Sequence, residues 1–204
     1  MKITHLQIAT NTFIMKLLII SFKIIKSIIR KCSFFIGTAH IKVICFLNGV
    51  KHGKIRSIGS PYINISRFGT AEIGNNFYLR TGQSNSEVGQ IGTRIIVRGK
   101  GKLKIGANVG MTNATIFADN SITIGDNVMI GGGTQIFDTN FHSTDPVIRT
   151  SGKEISEDVK TAPVMIGNNV FIGTNCIICK GVIIEDNAII PAGSVVYKQK
   201  QGAL

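Results

Sequence analysis

The sequence predicts an all-β solenoid, a three-sided parallel β-helix, preceded by a helical segment. Three observations predict it. Aliphatic residues recur every six positions without a slip, from Ile166 through Ile172, Ile178, Ile184 and Ile190 to Val196. Smaller side chains, Val170, Cys176, Val182, Ala188 and Ser194, stand four positions after the first five of these. A Gly-x-Asn or its near variant follows the aliphatic repeatedly, as IGNN at 73–76, IGAN at 105–108, IGDN at 124–127, IGNN at 166–169 and IEDN at 184–187. A strand alternates with period two and a helix repeats near 3.6, so neither alone yields a strict six. Three short strands joined by sharp corners do. One aliphatic side chain points to the axis, a smaller one fills the same layer, and roughly eighteen residues complete a turn that stacks about 4.8 Å from the next. The corners need residues that tolerate left-handed backbone, which Gly and Asn do.

The elements follow in order. Residues 13–29, FIMKLLIISFKIIKSII, form a greasy helix. Lys16, Lys23 and Lys26 interrupt it too often for a membrane span or a signal peptide. At about 100° per residue Lys16, Lys23, Lys26 and Arg30 fall within about 80° of arc, a narrow basic stripe. Such a helix suits the interface of an anionic membrane, through residues 13–31; packing against the rest of the protein or a partner subunit is the alternative. A second short helix is expected over about 38–48, stopped by Asn48 and Gly49. KHGKIRSIGSPYINI then reads as turn and strand. The chain so divides into a basic amphipathic helical segment, 1–56, and a β-helix, 57–204.

Within the β-helix, Ile105, Met111 and Phe117 are expected inward, with Val109 and Thr115 as fillers, followed by Ile124, Ile130 and Ile136 with Val128 and Thr134. The register over 79–104 is not fixed by the repeat. From Ile124 to Ile166 is one turn plus about 24 residues, so a loop is inserted at about 138–163.

The formal net charge is +12. Residues 1–71 hold eleven Lys and Arg and no Asp or Glu, whereas 72–204 hold twelve basic and eleven acidic residues. The excess charge therefore belongs to the N-terminal third, not to the repeats. No recognition motif for nucleic acid accompanies it, so no nucleic-acid partner is expected. Four cysteines, Cys32, Cys45, Cys176 and Cys179, are too few for a disulfide scaffold and suit a cytoplasmic setting. In the CIIC at 176–179 the register turns Cys176 inward and Cys179 elsewhere, which makes them poor joint ligands.

The inserted loop, DTNFHSTDPVIRTSGKEISEDVKTAP, carries the chemistry. It contains His142, the only histidine after residue 52, with Asp138, Asn140, Asp145 and Arg149 around it. An imidazole beside a carboxylate is the arrangement that removes a proton from a hydroxyl. Asp138 is the first choice to orient His142 and Asp145 the second.

Residues 58–197 resemble the hexapeptide-repeat acyltransferases, which are left-handed β-helices, and within them the maltose and galactoside acetyltransferases and the surface-polysaccharide O-acetyltransferases. The resemblance rests on ITIGDNVMIGGGTQIFDTNFHSTDPVIRTSG at 122–152 and APVMIGNNVFIGTNCIICKGVIIEDNAIIPAGSVV at 162–196, a coil, a His-x-x-Asp-Pro-x-x-Arg loop and then two regular coils. It implies acetyl-CoA as co-substrate, a sugar or glycan hydroxyl as acceptor, a homotrimer with sites between subunits, and direct transfer with His142 as general base. It further implies Asn140, Arg149 and Asn113 as substrate-binding residues. Gly173, Lys180, Ala192, Gly193 and Lys198 become candidates for CoA. No metal is implied: a γ-type carbonic anhydrase has this fold with three histidines on zinc, but His5, His40 and His52 all precede the coils. Two departures stand out. Asn140 replaces the acidic residue frequent in surface-polysaccharide relatives. The chain also ends at VVYKQKQGAL without the family's Gly-Asn-Pro-Ala segment, which implies a less protected last coil and a weaker CoA groove. Serine or xenobiotic acetylation on the same fold, and a non-catalytic membrane-associated β-helix, are the alternatives. The expected location is cytoplasmic, on the inner face of the membrane.

Overall fold

The computed structural model describes residues 5–82 and 92–197, with side chains from residue 14. One helix, α1 (His5–Leu47), leads into six coils. The first coil is β1 (Lys51–His52), β2 (Ile55–Ile58) and β3 (Tyr62–Ile65). The second is β4 (Thr70–Ile73), β5 (Phe77–Arg80) and β6 (Arg94–Val97). The third is β7 (Lys102–Ile105), β8 (Gly110–Thr112) and β9 (Thr115–Ala118), and the fourth β10 (Ser121–Ile124), β11 (Met129–Ile130) and β12 (Gln135–Phe137). After the loop, with its short helix α2 (Pro146–Thr150), come β13 (Val164–Ile166), β14 (Phe171–Ile172) and β15 (Ile177–Ile178). The sixth coil is β16 (Ile183–Ile184), β17 (Ile189–Ile190) and β18 (Val195–Val196). Every third strand pairs, in parallel, into one of three six-stranded sheets. The fold is thus the left-handed parallel β-helix that the six-residue period and the resemblance led us to expect.

The registers settle the irregular turns. Ile124 pairs with Ile166, so the extra residues between them all belong to the loop. Ile73 pairs with Ile105, so the second coil spans 32 residues, its excess lying between β5 and β6. That insertion is why the repeat loses its register over 79–104. Ile116, not Phe117, is the inward residue of β9, and it pairs with Ile136. The corner at Asn113–Ala114 is one residue short, so Met111 and Ile116 are five apart and the six-residue count slips.

Gly and Asn serve different purposes at the Gly-x-Asn corners. Asn76, Asn108, Asn127, Asn169 and Asn187 all take positive φ, between 57° and 64°. Their amides form a ladder along the solenoid, each Nδ2 donating to the next Oδ1 at 3.0–3.1 Å. The preceding glycines carry no such φ. They are small because the next coil is close: a Cβ on Gly125 would meet the carbonyl carbon and oxygen of Gly167 at 2.7 Å. The core is a column of buried Ile, Val and Leu. It thins in the last coil, where Ile190 and Val196 are only half-buried.

The helix departs from the two-helix expectation. It runs unbroken through Ser33 and Gly37 and stops at Asn48 and Gly49, the latter with φ 64°. Gly37 is a contact rather than a breaker: a Cβ there would lie 2.5 Å from the Gly59 carbonyl oxygen. Cys176 is buried and Cys179 half-buried. The Cys45 thiol, on the buried face of α1, is pushed up to about 11 by desolvation.

Candidate active site

The loop between β12 and β13 is rooted by backbone pairing. Thr139 bridges Thr161, the Asn140 N–H donates to Lys160 O at 3.1 Å, and the Ala162 N–H donates to Asp138 O at 2.9 Å. Gly181 N–H donates to Ala162 O at 3.2 Å, so the Lys180–Gly181 turn abuts the returning strand of the loop.

His142 sits on this root. Phe141 precedes it with φ 64°, a left-handed conformation that non-glycine residues rarely adopt. The Phe141 ring is held against Phe117 at 4.9 Å and Phe137 at 5.3 Å, and this packing fixes the turn that projects His142 outward. Arg98 lies over the Phe117 ring, 5.4 Å from its centroid, and pairs with Asp119 through two hydrogen bonds of 3.0 and 2.5 Å.

Glu154 is the carboxylate partner of His142. Its Oε2 is 2.9 Å from His142 Nδ1, and its Oε1 accepts the Ser143 N–H. The Ser143 N–H bond, then the histidine, hold the Glu154 carboxyl below its ordinary range. An ionised carboxylate only accepts, so Nδ1 carries the hydrogen and the Nε2 lone pair is left to take a proton. The His142 side chain is 70% exposed, so Nε2 is accessible. Sequence reasoning missed Glu154, twelve residues away. The signal was available in principle, because it is the first acidic residue after the Gly152 turn, but only the loop path shows where that carboxylate arrives.

The other acidic candidates serve the loop. Asp138 does not reach His142: it is fully buried, and its two oxygens accept the N–H groups of Asp119 at 2.7 Å and Asn120 at 2.8 Å. Burial pushes its carboxyl above the ordinary value, against the pull of those N–H bonds. Asp145 caps α2, accepting from Val147 N at 2.8 Å and Ile148 N at 3.4 Å, with Pro146 in the first turn. Arg149 reaches back from α2 to donate to Ser143 O at 2.7 Å, closing the turn that carries His142. The Asp-Pro-x-x-Arg spacing thus builds a capped turn that returns to the histidine.

The remaining candidates lie farther out or deeper. Asn113 is buried with φ 38°, and its Oδ1 accepts the Gly82 N–H at 2.9 Å, which ties β8 to the second coil. Gly173 is a stacking corner, where a Cβ would meet Ala192 N at 2.5 Å. Lys180 is half-buried, Ala192 and Gly193 are exposed on the last coil, and Lys198 lies outside the described residues.

Asp138→Asn tests the assignment of Asp138 to the loop. An amide offers one acceptor where two N–H groups need one, so a donor is left unpaired at about 1–3 kcal/mol. The expected drop in Tm is about 2–12 °C in a thermal melt, with the His142–Glu154 pair intact.

Comparison with known proteins gives two kinds of match. Residues 163–198 match the family described as the hexapeptide repeat of succinyl-transferase. The galactoside O-acetyltransferase of Escherichia coli is 42% identical over 86 residues, which are 42% of this chain and 39% of that protein. The galactoside O-acetyltransferase of Lactococcus lactis is 36% identical over 86 residues, with the same coverage. The chain spans about two-fifths of the length of the curated relatives it matches.

Proposed function

We propose that this hexapeptide-repeat chain transfers an acetyl group from acetyl-CoA to a sugar hydroxyl, a galactoside or a related surface glycan, with His142 as the general base. The observation that carries this reading is the 2.9 Å contact from His142 Nδ1 to Glu154, which leaves Nε2 as a free base on an exposed loop. An unperturbed sugar hydroxyl is a weak nucleophile at neutral pH. As its oxygen attacks the thioester carbonyl carbon, Nε2 takes the proton. Glu154 stabilises the imidazolium that forms. The tetrahedral adduct then collapses, the carbon–sulfur bond breaks, and the imidazolium returns the proton to the leaving thiolate. The products are an acetyl ester and CoA. A positioned base is worth about 10²–10⁴-fold.

The site works between subunits of a homotrimer. Two exposed apolar ladders support assembly: Met129, Phe171 and Ile189 stand in register on one sheet, and Met165 and Ile183 on another. Such columns on a soluble surface call for a covering partner. A neighbouring subunit would also enclose His142. Arg149 and Asn140 would face the acceptor side of that cleft, and Lys180, beside the loop root, the CoA side.

Thiol release from acetyl-CoA, followed with galactosides, lipid-linked glycans, serine and amine antibiotics as acceptors, tests the reading. Release that depends on a sugar supports it. Release only with serine or an antibiotic reassigns the acceptor, and no release with any of them leaves a non-catalytic solenoid.

A further inference from the structure

The helix α1 meets the solenoid through its last third. Gly37 lies against Gly59, at the corner after β2. Thr38 Oγ1 accepts the Ser57 N–H at 3.1 Å and donates to Ser57 O at 3.3 Å. Asn48 Oδ1 accepts the Ile65 N–H, at the end of β3, at 2.9 Å. Gly37 and Asn48 are about 16 Å apart along a helix. The strands β1, β2 and β3 are each the terminal strand of their sheet. The helix therefore lies across the open end of the solenoid, roughly perpendicular to its axis, and plugs it with Ile41 and Cys45, both fully buried.

That placement fixes where its faces point. At about 100° per residue, Lys16, Lys23, Lys26 and Arg30 fall within about 60° of Ile41, on the side of the coils. Ile14, Ile25, Ile28, Phe35, Val43 and Phe46 fall within about 60° of the opposite direction. All six are exposed, Phe46 by 83%. Ile19 falls inside the basic stripe and Ile20 borders it, while Lys31 and Lys42 stand at the edge of the apolar face. An open apolar notch lined by Ile28, Ile29, Cys32 and Ile36 continues that face to the edge of the first coil at Gly59. Among the described residues no helix is long and apolar enough to cross a membrane.

We propose that α1 is a membrane-docking end plate: it lies flat in the surface of an anionic bilayer, its apolar face in the acyl boundary, and stands the solenoid upright on the membrane. The occupant is a lipid surface because residues 5–71, the helix and the first coil, carry ten basic residues and no acidic one, which complements anionic headgroups. The direction of the face adds to this. It points along the solenoid axis, away from the coils, and any rotation about an axis parallel to the solenoid leaves that direction unchanged. All copies in a cyclic assembly about such an axis therefore present their apolar faces to one plane. A helix meant to pack on its symmetry mates would face sideways instead. The inference is independent of the acetyl-transfer reading.

Sedimentation of the full chain with phosphatidylcholine vesicles, with and without phosphatidylserine, tests it. Binding is expected with phosphatidylserine. Replacing Lys16, Lys23, Lys26 and Arg30 with Gln should weaken it about five-fold per charge. Ile25→Ser with Phe46→Ser should abolish it with every charge retained and the thermal transition unchanged. The chain has no Trp, so Phe46→Trp supplies a single reporter. Its emission should be quenched by brominated lipid on binding, whereas Met129→Trp on the solenoid wall should not be. Three results would overturn the proposal: full binding by the Ile25→Ser/Phe46→Ser variant, an unquenched Phe46→Trp in the bound protein, or sedimentation equilibrium showing that the same substitutions instead break an assembly held together by the helices.

Discussion

Under the proposed mechanism, His142→Ala is expected to lower the turnover of acetyl transfer by about 10²–10⁴-fold and to leave the thermal transition in place. The magnitude is that of removing a positioned base, here the proposed acceptor of the hydroxyl proton, His142 Nε2. The fold survives because His142 is an exposed side chain on a loop whose anchors lie elsewhere, at Thr139–Thr161, at Asp138 and under Phe141. Glu154→Gln sharpens the test. The amide keeps the shape but can present a donor to Nδ1, which drives the hydrogen to Nε2 and disables the base. A buried triad carboxylate exchanged in this way costs roughly 10⁴. Glu154 is more exposed and loses less, at least about tenfold, with kcat falling and KM for the acceptor steady. Steady-state kinetics on the two variants, beside thermal melts, checks both statements.

Gly125→Ala lowers the Tm by about 2–12 °C, from about 1–3 kcal/mol of overpacking. A methyl there meets the Gly167 carbonyl at 2.7 Å, and backbone in a stacked coil cannot step aside. Gly152→Ala provides the contrast. Its φ is 68° and nothing lies within 4 Å of a Cβ, so only about 1 kcal/mol of left-handed strain arises. Asn127→Gly keeps the positive φ while losing two rungs of the amide ladder, and should cost less than Asn127→Ala, which loses both. Thermal melts of the four variants separate close approach from backbone handedness.

These corners also show how much of the fold is legible in the sequence. The six-residue period from Ile166 to Val196 maps onto the structure residue by residue, because each face there is built from the same short strand and the same corner. Where a corner drops one residue, at Asn113–Ala114, the count points to Phe117 when Ile116 is inside. Period alone cannot locate a missing residue. The Gly-x-Asn motif reveals corners but not the division of labour within them: Asn takes the left-handed φ, and Gly admits the neighbouring coil.

The candidate site is legible in its histidine and not in its geometry. His142 stands out as a lone histidine in an insertion. Its nearest carboxylates in sequence, Asp138 and Asp145, are drawn to backbone N–H groups, one at the loop root and one at a helix N-terminus. Glu154 reaches the histidine because α2 and the Gly152 turn fold the chain back, with Arg149 holding the turn through the Ser143 carbonyl. Carboxylates satisfy the donors that the fold brings to them, and sequence distance does not rank those donors. The helix is a similar case. A second helix is expected over about 38–48, yet one helix runs through that start, and Gly37 just before it lets the helix close on Gly59.

The most direct measurement of the central claim is mass spectrometry of a galactoside or glycan acceptor incubated with acetyl-CoA and the full chain, wild type beside His142→Ala. Acetyl transfer through His142 predicts an oxygen-linked acetyl ester formed by the wild type and nearly absent with the variant. An acceptor left unmodified by a wild type that binds acetyl-CoA, or acetylated equally by both proteins, would contradict it.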